Sequence, residues 1–218
     1  MIRRTVLMAA AALTLGGCVN LIPQAEPAAV YRLSAPEPSG DFTTDQTIVS
    51  VGVPLTPRAL SSDDIAISLE RGELAFIEGA KWIAPVPRLM QDLIVESIDA
   101  FEVDLAAARP EDGVEAEYEI NTEVRAFEAV YRNGEDAAPT AVIRMRVRLV
   151  RLDGRRLIGV YAAGAQAQAM DNRIGEIVAA YDAAAQETAA EIASWASARI
   201  EADQAELATM AAEEEAAG

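Results

Sequence analysis

Apolar and polar residues alternate along two long stretches of the chain, and this pattern predicts two β-strands. In residues 114–126 every second position is apolar or small, and glutamate dominates the positions between. Residues 141–149 alternate in the same way. The alternation of the first stretch slips by one position at Phe127, which predicts a bulge or a bend there.

The polar faces of these two strands carry opposite charges. The first strand carries a glutamate row, and the second carries an arginine row that consists of Arg144, Arg146 and Arg148. We expect the strands to be antiparallel neighbours, in which each facing pair of opposite charges would contribute roughly 0.2–1 kcal/mol. A solvated strand face balanced by its neighbour is therefore the favoured interpretation of the arginine row. An anion-binding site is the alternative.

Shorter runs of apolar and β-branched residues predict five more strands. They lie near residues 31–33, 48–53, 65–69, 74–77 and 156–168. Gly72 predicts a hairpin between the strands on either side of it, and Asp153-Gly154 is a hairpin signal before the last strand.

Apolar residues at helical spacing predict two helices. The first covers residues 86–105 and opens at prolines. The second follows a cap at Asp171 or Asn172 and keeps its apolar spacing for more than five turns. Past Ile200, residues 201–218 form an acidic tail rich in Ala and Glu, which we interpret as a fraying helix or as disorder.

This order of elements predicts the fold class α+β. We expect a single domain over residues 30–200, with a mostly antiparallel sheet and two principal helices packed on one face. The tail at 201–218 follows this domain, and no repeat or second domain is evident in the sequence.

The start of the chain has the pattern of a secretory signal peptide. Two arginines precede an apolar run over residues 5–15, which leads into Leu15-Gly16-Gly17-Cys18. A cysteine directly after Leu-Gly-Gly resembles a lipobox, so we expect residues 1–17 to be removed by cleavage between Gly17 and Cys18. Lipid on Cys18 would then anchor the chain, because several acyl chains hold a membrane durably. A plain secreted protein with an incidental cysteine is the alternative.

The surroundings of Cys18 favour the lipid anchor. It is the only cysteine of the chain, so it has no intramolecular disulfide partner in an oxidising compartment. Residues 18–29 are rich in Pro and Ala and would form a lipidated tether. The residues that follow Cys18 include no aspartate resembling an inner-membrane retention signal, which favours the periplasmic face of the outer membrane.

Composition excludes several classes of function. The formal net charge is −17, and Lys81 is the only lysine, which argues against nucleic acid as a partner. Histidine is absent, so a His-dependent nucleophile or His-ligated zinc is excluded. We find no phosphate-binding glycine loop, no metal site, no cofactor site and no catalytic residues, and expect a protein that is not an enzyme.

Several segments together resemble one known family. These are Tyr31-Arg32-Leu33, Val51-Gly52-Val53-Pro54, Asp64-Ile65-Ala66, Lys81-Trp82-Ile83-Ala84-Pro85 and Val124-Arg125-Ala126-Phe127-Glu128. In this order they resemble the ABC-type transport auxiliary lipoproteins, which accompany mammalian-cell-entry (MCE) lipid transporters.

The resemblance implies a non-enzymatic component that receives or guides lipid at the outer membrane. It would dock on an MCE-domain protein that bridges the periplasm from an inner-membrane ATP-driven transporter, with phospholipid as a further partner. A homo-oligomer around the MCE tunnel would fit the same family. The alternative is an envelope assembly or scaffolding lipoprotein for another outer-membrane complex.

Lys81 and Trp82 are the candidate residues for contact with the partner protein. Tryptophan is enriched at the energetic centres of protein interfaces, and here it adjoins the single lysine. The competing interpretation, which we favour, is that Trp82 fills the core between sheet and helix.

Overall fold

The computed structural model describes residues 27–37, 46–69, 72–101 and 104–217. The strands are β1 (Ala29–Tyr31), β2 (Thr47–Val51), β3 (Asp64–Ser68), β4 (Leu74–Trp82), β5 (Leu105–Ala108), β6 (Tyr118–Val130), β7 (Thr140–Arg151) and β8 (Arg156–Gln168). The helices are α1 (Val86–Phe101) and α2 (Ile174–Ala217). The predicted signal peptide, its cleavage site and Cys18 lie outside the described residues.

The eight strands form one sheet built around β6. On one side β6 pairs antiparallel with β7, which pairs antiparallel with β8. On the other side, the first part of β6 pairs parallel with β2, and β2 pairs parallel with β5. The last part of β6 pairs parallel with β3, β3 pairs antiparallel with β4, and β4 pairs parallel with β1. The predicted α+β class is confirmed, and most paired residues belong to antiparallel ladders.

Two local predictions for the strands are also confirmed. The register between β6 and β7 shifts between Val124 and Ala126, so Arg125 is the extra residue of a bulge just before Phe127. Strands β3 and β4 form an antiparallel hairpin, and Gly72 in its turn has a φ of 78°, a conformation that glycine adopts without a steric penalty.

Strand β5 was not predicted. The sequence pattern continued the first helix to Leu105, whereas α1 ends at Phe101 and Leu105 begins a strand that pairs parallel with β2. The segment Leu105–Ala108 is short and alanine-rich, so its spacing fits helix and strand alike and its pairing with β2 decides its conformation. Strand β6 likewise starts at Tyr118 rather than at Val114.

Three aromatic rings form the centre of the core between the sheet and α2. The ring centroid of Trp82 lies 5.9 Å from that of Phe127 and 5.2 Å from that of Tyr181. The centroids of Phe127 and Tyr181 are 5.1 Å apart. The Tyr181 hydroxyl donates a hydrogen bond to the carbonyl oxygen of Ala66 on β3. This bond fixes α2 against the sheet at the depth where the aromatic rings meet.

Helix α2 packs closely on the sheet because half of its buried residues are alanine. They include Ala180, Ala184, Ala185, Ala189, Ala193 and Ala196. The helix has 44 residues and is therefore about 66 Å long. Its last buried residue is Asp203, and the tail beyond it continues as an exposed helix to Ala217. The tail was interpreted as a fraying helix or as disorder, and in the structure it is helical.

Candidate functional site

The face of β6, β7 and β8 that lies away from α2 is open to solvent. Along β7 the exposed Arg144 and Arg146 alternate with the buried Ile143 and Met145. The buried residues face α2, because side chains of a strand point alternately to the two sides of the sheet. The arginine row is therefore on the uncovered face.

The glutamate row does not neutralise the arginine row as the sequence suggested. Arg144 lies opposite Ala126, Arg148 opposite Asn121, and only Arg146 lies opposite a glutamate, Glu123. The carboxylate of Glu123 instead accepts a hydrogen bond from Arg125 at 2.8 Å. The bulge explains the partner of Arg144, because its extra residue shifts the phase of β6 against β7, whereas Arg148 meets the asparagine that interrupts the glutamate row.

Within the described part of the chain, the guanidinium groups of the arginine row form no hydrogen bond or ion pair. On the neighbouring strand, Gly164 lies opposite Arg144 and Ala162 lies opposite Arg146. Arg144 and Arg146 thus each stand beside a residue with almost no side chain. The result is an open cavity of about 370 Å³, which we call the arginine trough; its side-chain lining is Arg125, Arg144, Arg146, Ala162, Gly164 and Gln166.

Gly164 is required at the floor of the arginine trough. A Cβ atom placed there would lie 2.5 Å from the carbonyl oxygen of Ile143, closer than real contacts allow. We therefore expect Gly164→Ala to destabilise the protein by about 1–3 kcal/mol, because the backbone of β7 would have to move. Urea unfolding measures this change.

Gly175→Ala is the matched control for that substitution. No atom lies within 4 Å of a Cβ built at Gly175, which is in the first turn of α2. Alanine there should leave stability unchanged or raise it by up to about 1 kcal/mol. Equal effects of the two substitutions would contradict the packing account of Gly164.

Side chains of α2 cover the outer edge of β8. The Gly164 N–H donates to Oε2 of Glu191 at 3.0 Å, and Nη2 of Arg199 donates to the carbonyl oxygen of Ile158 at 3.0 Å. Between them the rings of Trp195 and Tyr161 stack with centroids 5.3 Å apart. The hydrogen bond to Glu191, followed by burial, raises the pKa of the Tyr161 hydroxyl. These contacts occupy edge groups that could otherwise pair with another strand.

A buried charged cluster joins the far part of α2 to the sheet. The carboxylate of Asp203 accepts hydrogen bonds from Tyr118 Oη at 2.9 Å and from Arg151 Nη1 at 2.9 and 3.1 Å. Burial, and then the hydrogen bond to Asp203, raises the pKa of the Tyr118 hydroxyl. The Tyr118 hydroxyl therefore keeps its proton at neutral pH and can donate it to the hydrogen bond with Asp203.

The chain matches the family model of the ABC-type transport auxiliary lipoprotein component over residues 31–193. It belongs to this family. The match covers the strands from β2 to β8, the last residue of β1 and most of the part of α2 that packs on the sheet.

Solved structures share the fold of this auxiliary lipoprotein. A Xanthomonas campestris protein of the family DUF330 has 21% sequence identity and a TM-score of 0.72, over 81% of this chain and 99% of that chain. A second structure, of an uncharacterized protein, has 14% identity and a TM-score of 0.63, over 77% of this chain and 97% of that chain. No curated protein gives a significant match.

Among the described residues, no helix has both the length and the apolar character that crossing a bilayer requires. The same part of the chain contains no group of three or more Asp, Glu, His or Cys side chains placed to hold a metal ion.

The predicted contact residues Lys81 and Trp82 point to opposite sides of β4 in this family member. Trp82 is 2% exposed and belongs to the aromatic core. Lys81 is partly exposed, and its Nζ atom lies 3.0 Å from Asp63 and 3.5 Å from Asp64. The hydrogen bond and charge of Asp63 raise the pKa of Lys81. The competing interpretation of Trp82 as a core residue matches this burial, while partner contact remains a prediction for Lys81.

A second cavity, of about 390 Å³, lies between α1 and the segment after β1. Glu96 of α1 lines it, and burial, followed by the negative charge of Asp92, raises the pKa of its carboxyl above 4.5. A raised pKa means that the folded state binds the proton more tightly than the unfolded state. The ionised form therefore destabilises the fold, and this effect grows as pH rises through the folded pKa.

Glu96→Gln should consequently raise the melting temperature slightly near neutral pH. The difference from the original protein should disappear below pH 4.5, where the glutamate is protonated in both states. Thermal melts followed by circular dichroism across this pH range measure the effect. A variant that is less stable than the original at neutral pH would contradict it.

Proposed function

We propose that this chain is a lipid-anchored, non-enzymatic component of an ABC/MCE-type lipid transport system. In this role it docks the periplasm-spanning MCE protein at the outer membrane. The observation that carries the proposal is the family match over residues 31–193, since the family is that of ABC-type transport auxiliary lipoprotein components. The sequence resemblance to auxiliary lipoproteins of MCE systems supplies the identity of the partner.

The proposed anchor is lipid on Cys18, with cleavage after Gly17. Support comes from the segment Leu15-Gly16-Gly17-Cys18 at the end of the apolar run. Residues between Cys18 and Pro27 can span at most about 30 Å, so the anchor would hold the domain near the bilayer surface. We place that surface on the periplasmic side of the outer membrane.

In-cell crosslinking followed by purification tests the docking. Recovery of an MCE-domain protein with the original chain, and its loss with Cys18→Ala, is the expected result. Recovery of outer-membrane assembly proteins alone would favour the scaffolding alternative. Recovery of nothing above the Cys18→Ala control would also discard the transport assignment.

Contact through Lys81 can be tested in the same experiment. Lys81→Ala should weaken the crosslink to the partner if this lysine lies in the docking surface. Arg58→Ala is the control, because Arg58 is an exposed cation in the loop between β2 and β3. Equal recovery with both variants would remove Lys81 from the docking surface while leaving the transport role open.

A further inference from the structure

We propose that the arginine trough binds the phosphate of an anionic phospholipid at the membrane surface, with the apolar end of β8 against the lipid chains. This inference deepens the proposed function, on which it rests, by naming the lipid class and the residues that contact it. Nothing in the docking of an MCE protein requires such a site.

The charges of the trough favour a bound oxyanion. Arg144 and Arg146 are two residues apart on β7, so their Cα atoms are about 7 Å apart and their like charges repel. The opposing strand does not neutralise them, because the carboxylate of Glu123 is already bonded to Arg125. A phosphate between the guanidinium groups would relieve this repulsion and accept paired hydrogen bonds.

The shape of the trough leaves room for that phosphate. Alanine and glycine on β8 provide a floor without long side chains, at positions directly opposite Arg146 and Arg144. Gln166 closes one end and is held there by a hydrogen bond from Arg132 at 3.0 Å. No carboxylate lines the trough, and the two beside it, those of Glu191 and Glu123, are already bonded to the Gly164 N–H and to Arg125.

Two exposed aliphatic side chains of β8 lie further along the same face, which also carries Arg148 and Glu119 there. Val160 lies opposite Arg148, and Leu157 lies opposite Val150, so both side chains are on the open face with the arginine row. They are 52% and 54% exposed, respectively. The distance along β8 from Gly164 to Leu157 is about 20 Å. One bilayer leaflet, including its headgroups, has a similar thickness.

This order of charge and apolar surface is the reason to choose a phospholipid over an acidic protein. A cationic site followed by exposed aliphatic side chains on one flat face matches an anionic headgroup followed by its acyl chains. The overall charge of −17 opposes anionic membranes, but screening limits distant carboxylates to about 10 Å in dilute salt. The guanidinium groups in the trough therefore dominate the potential at the site.

Photocrosslinking in vesicles tests the lipid site. The full protein, purified as the cell makes it, is reconstituted in vesicles that carry photoactivatable phosphatidylglycerol or, in a parallel arm, photoactivatable phosphatidylcholine. Crosslinked peptides are then mapped by mass spectrometry. We expect phosphatidylglycerol to label β8 several-fold more than phosphatidylcholine, and Arg144→Gln with Arg146→Gln to lower this labelling by about tenfold.

Two control proteins separate charge from position. Arg58→Gln with Arg155→Gln removes the same charge from two exposed arginines outside the trough and should keep the labelling. Arg144→Lys with Arg146→Lys keeps the charge but loses the bidentate geometry, so labelling should be intermediate. Urea unfolding of each variant checks that the fold is intact.

The remaining outcomes overturn the inference. Equal labelling by the two lipids, or labelling that the Arg144 and Arg146 substitutions do not change, would show that the trough binds no lipid headgroup. Full competition by inorganic phosphate with no preference between lipids would assign the trough to free phosphate. If these substitutions abolish crosslinking to the MCE protein and spare lipid labelling, the trough binds an acidic protein surface instead. Lipid labelling without any MCE partner would reject the proposed function and keep the site.

Discussion

Asp203→Ala is expected to destabilise the protein by about 3–5 kcal/mol, because it leaves the guanidinium of Arg151 buried without its counter-charge. The side chains of Arg151 and Asp203 are only 14% and 5% exposed. Nε of Arg151 already lacks a hydrogen-bond partner among the described residues, so the carboxylate provides the main compensation for this cation. The same substitution leaves the Tyr118 hydroxyl without its acceptor. Urea unfolding followed by circular dichroism measures the loss.

Glu206→Ala is the control for this prediction. Glu206 lies one turn further along α2 and pairs with Arg156 at 3.7 Å, but both side chains are more than half exposed. An exposed pair contributes at most about 1 kcal/mol, so this variant should remain close to the original. If Asp203→Ala and Glu206→Ala lose similar amounts, the buried cluster is not the main attachment of this part of α2.

Trp82→Ala should destabilise the protein by about 3–5 kcal/mol, because it leaves a large cavity in the aromatic core. The indole is 2% exposed and packs edge-on against Phe127 and Tyr181. Its Nε1–H finds no acceptor among the described residues, so hydrogen bonding contributes little and packing contributes most. The expected fall in melting temperature is about 10 °C for a domain of this size.

Two further variants make this prediction specific. Ile83→Ala changes the next residue, which is 53% exposed, and should cost about 1 kcal/mol or less. Trp82→Phe keeps part of the packing and removes the unpaired N–H, so its effect should lie between the two. If Trp82→Ala keeps full stability and selectively loses the MCE crosslink, the indole acts in partner contact rather than in packing.

The long strands and helices of the fold were predictable from sequence because their hydrophobic patterns extend over many residues. Strand β7 alternates cleanly, and α1 presents a continuous apolar face, so both elements were predicted, although the predicted end of α1 was four residues too late. The bulge at Arg125 was also visible, since a single extra residue reverses the phase of every position after it. Strand β5 was invisible for the opposite reason, because four residues carry too few positions to show a period.

The candidate site was predictable only in part. Arg144, Arg146 and Arg148 stand at alternating positions, so their common face follows from sequence. Which residues oppose them depends on the registers of β6 and β8, and the bulge changes the first of these. A glycine at position 164 within a strand pattern is the available signal for the trough, since such a residue often marks a close approach of backbones.

The β8 edge is covered by a helix that follows it in the chain and is therefore synthesised after it. Glu191 and Arg199, which occupy backbone groups of that edge, belong to the last helix of the chain. Strands β6, β7 and β8 precede this helix in the chain, so during synthesis they can pair before the helix that covers them is available. For that interval the edge can pair with strands of other chains, and it becomes protected only after α2, the last 44-residue helix, has folded onto the sheet. The helix that stabilises the folded sheet is thus also the element whose arrival ends the exposure of its edge.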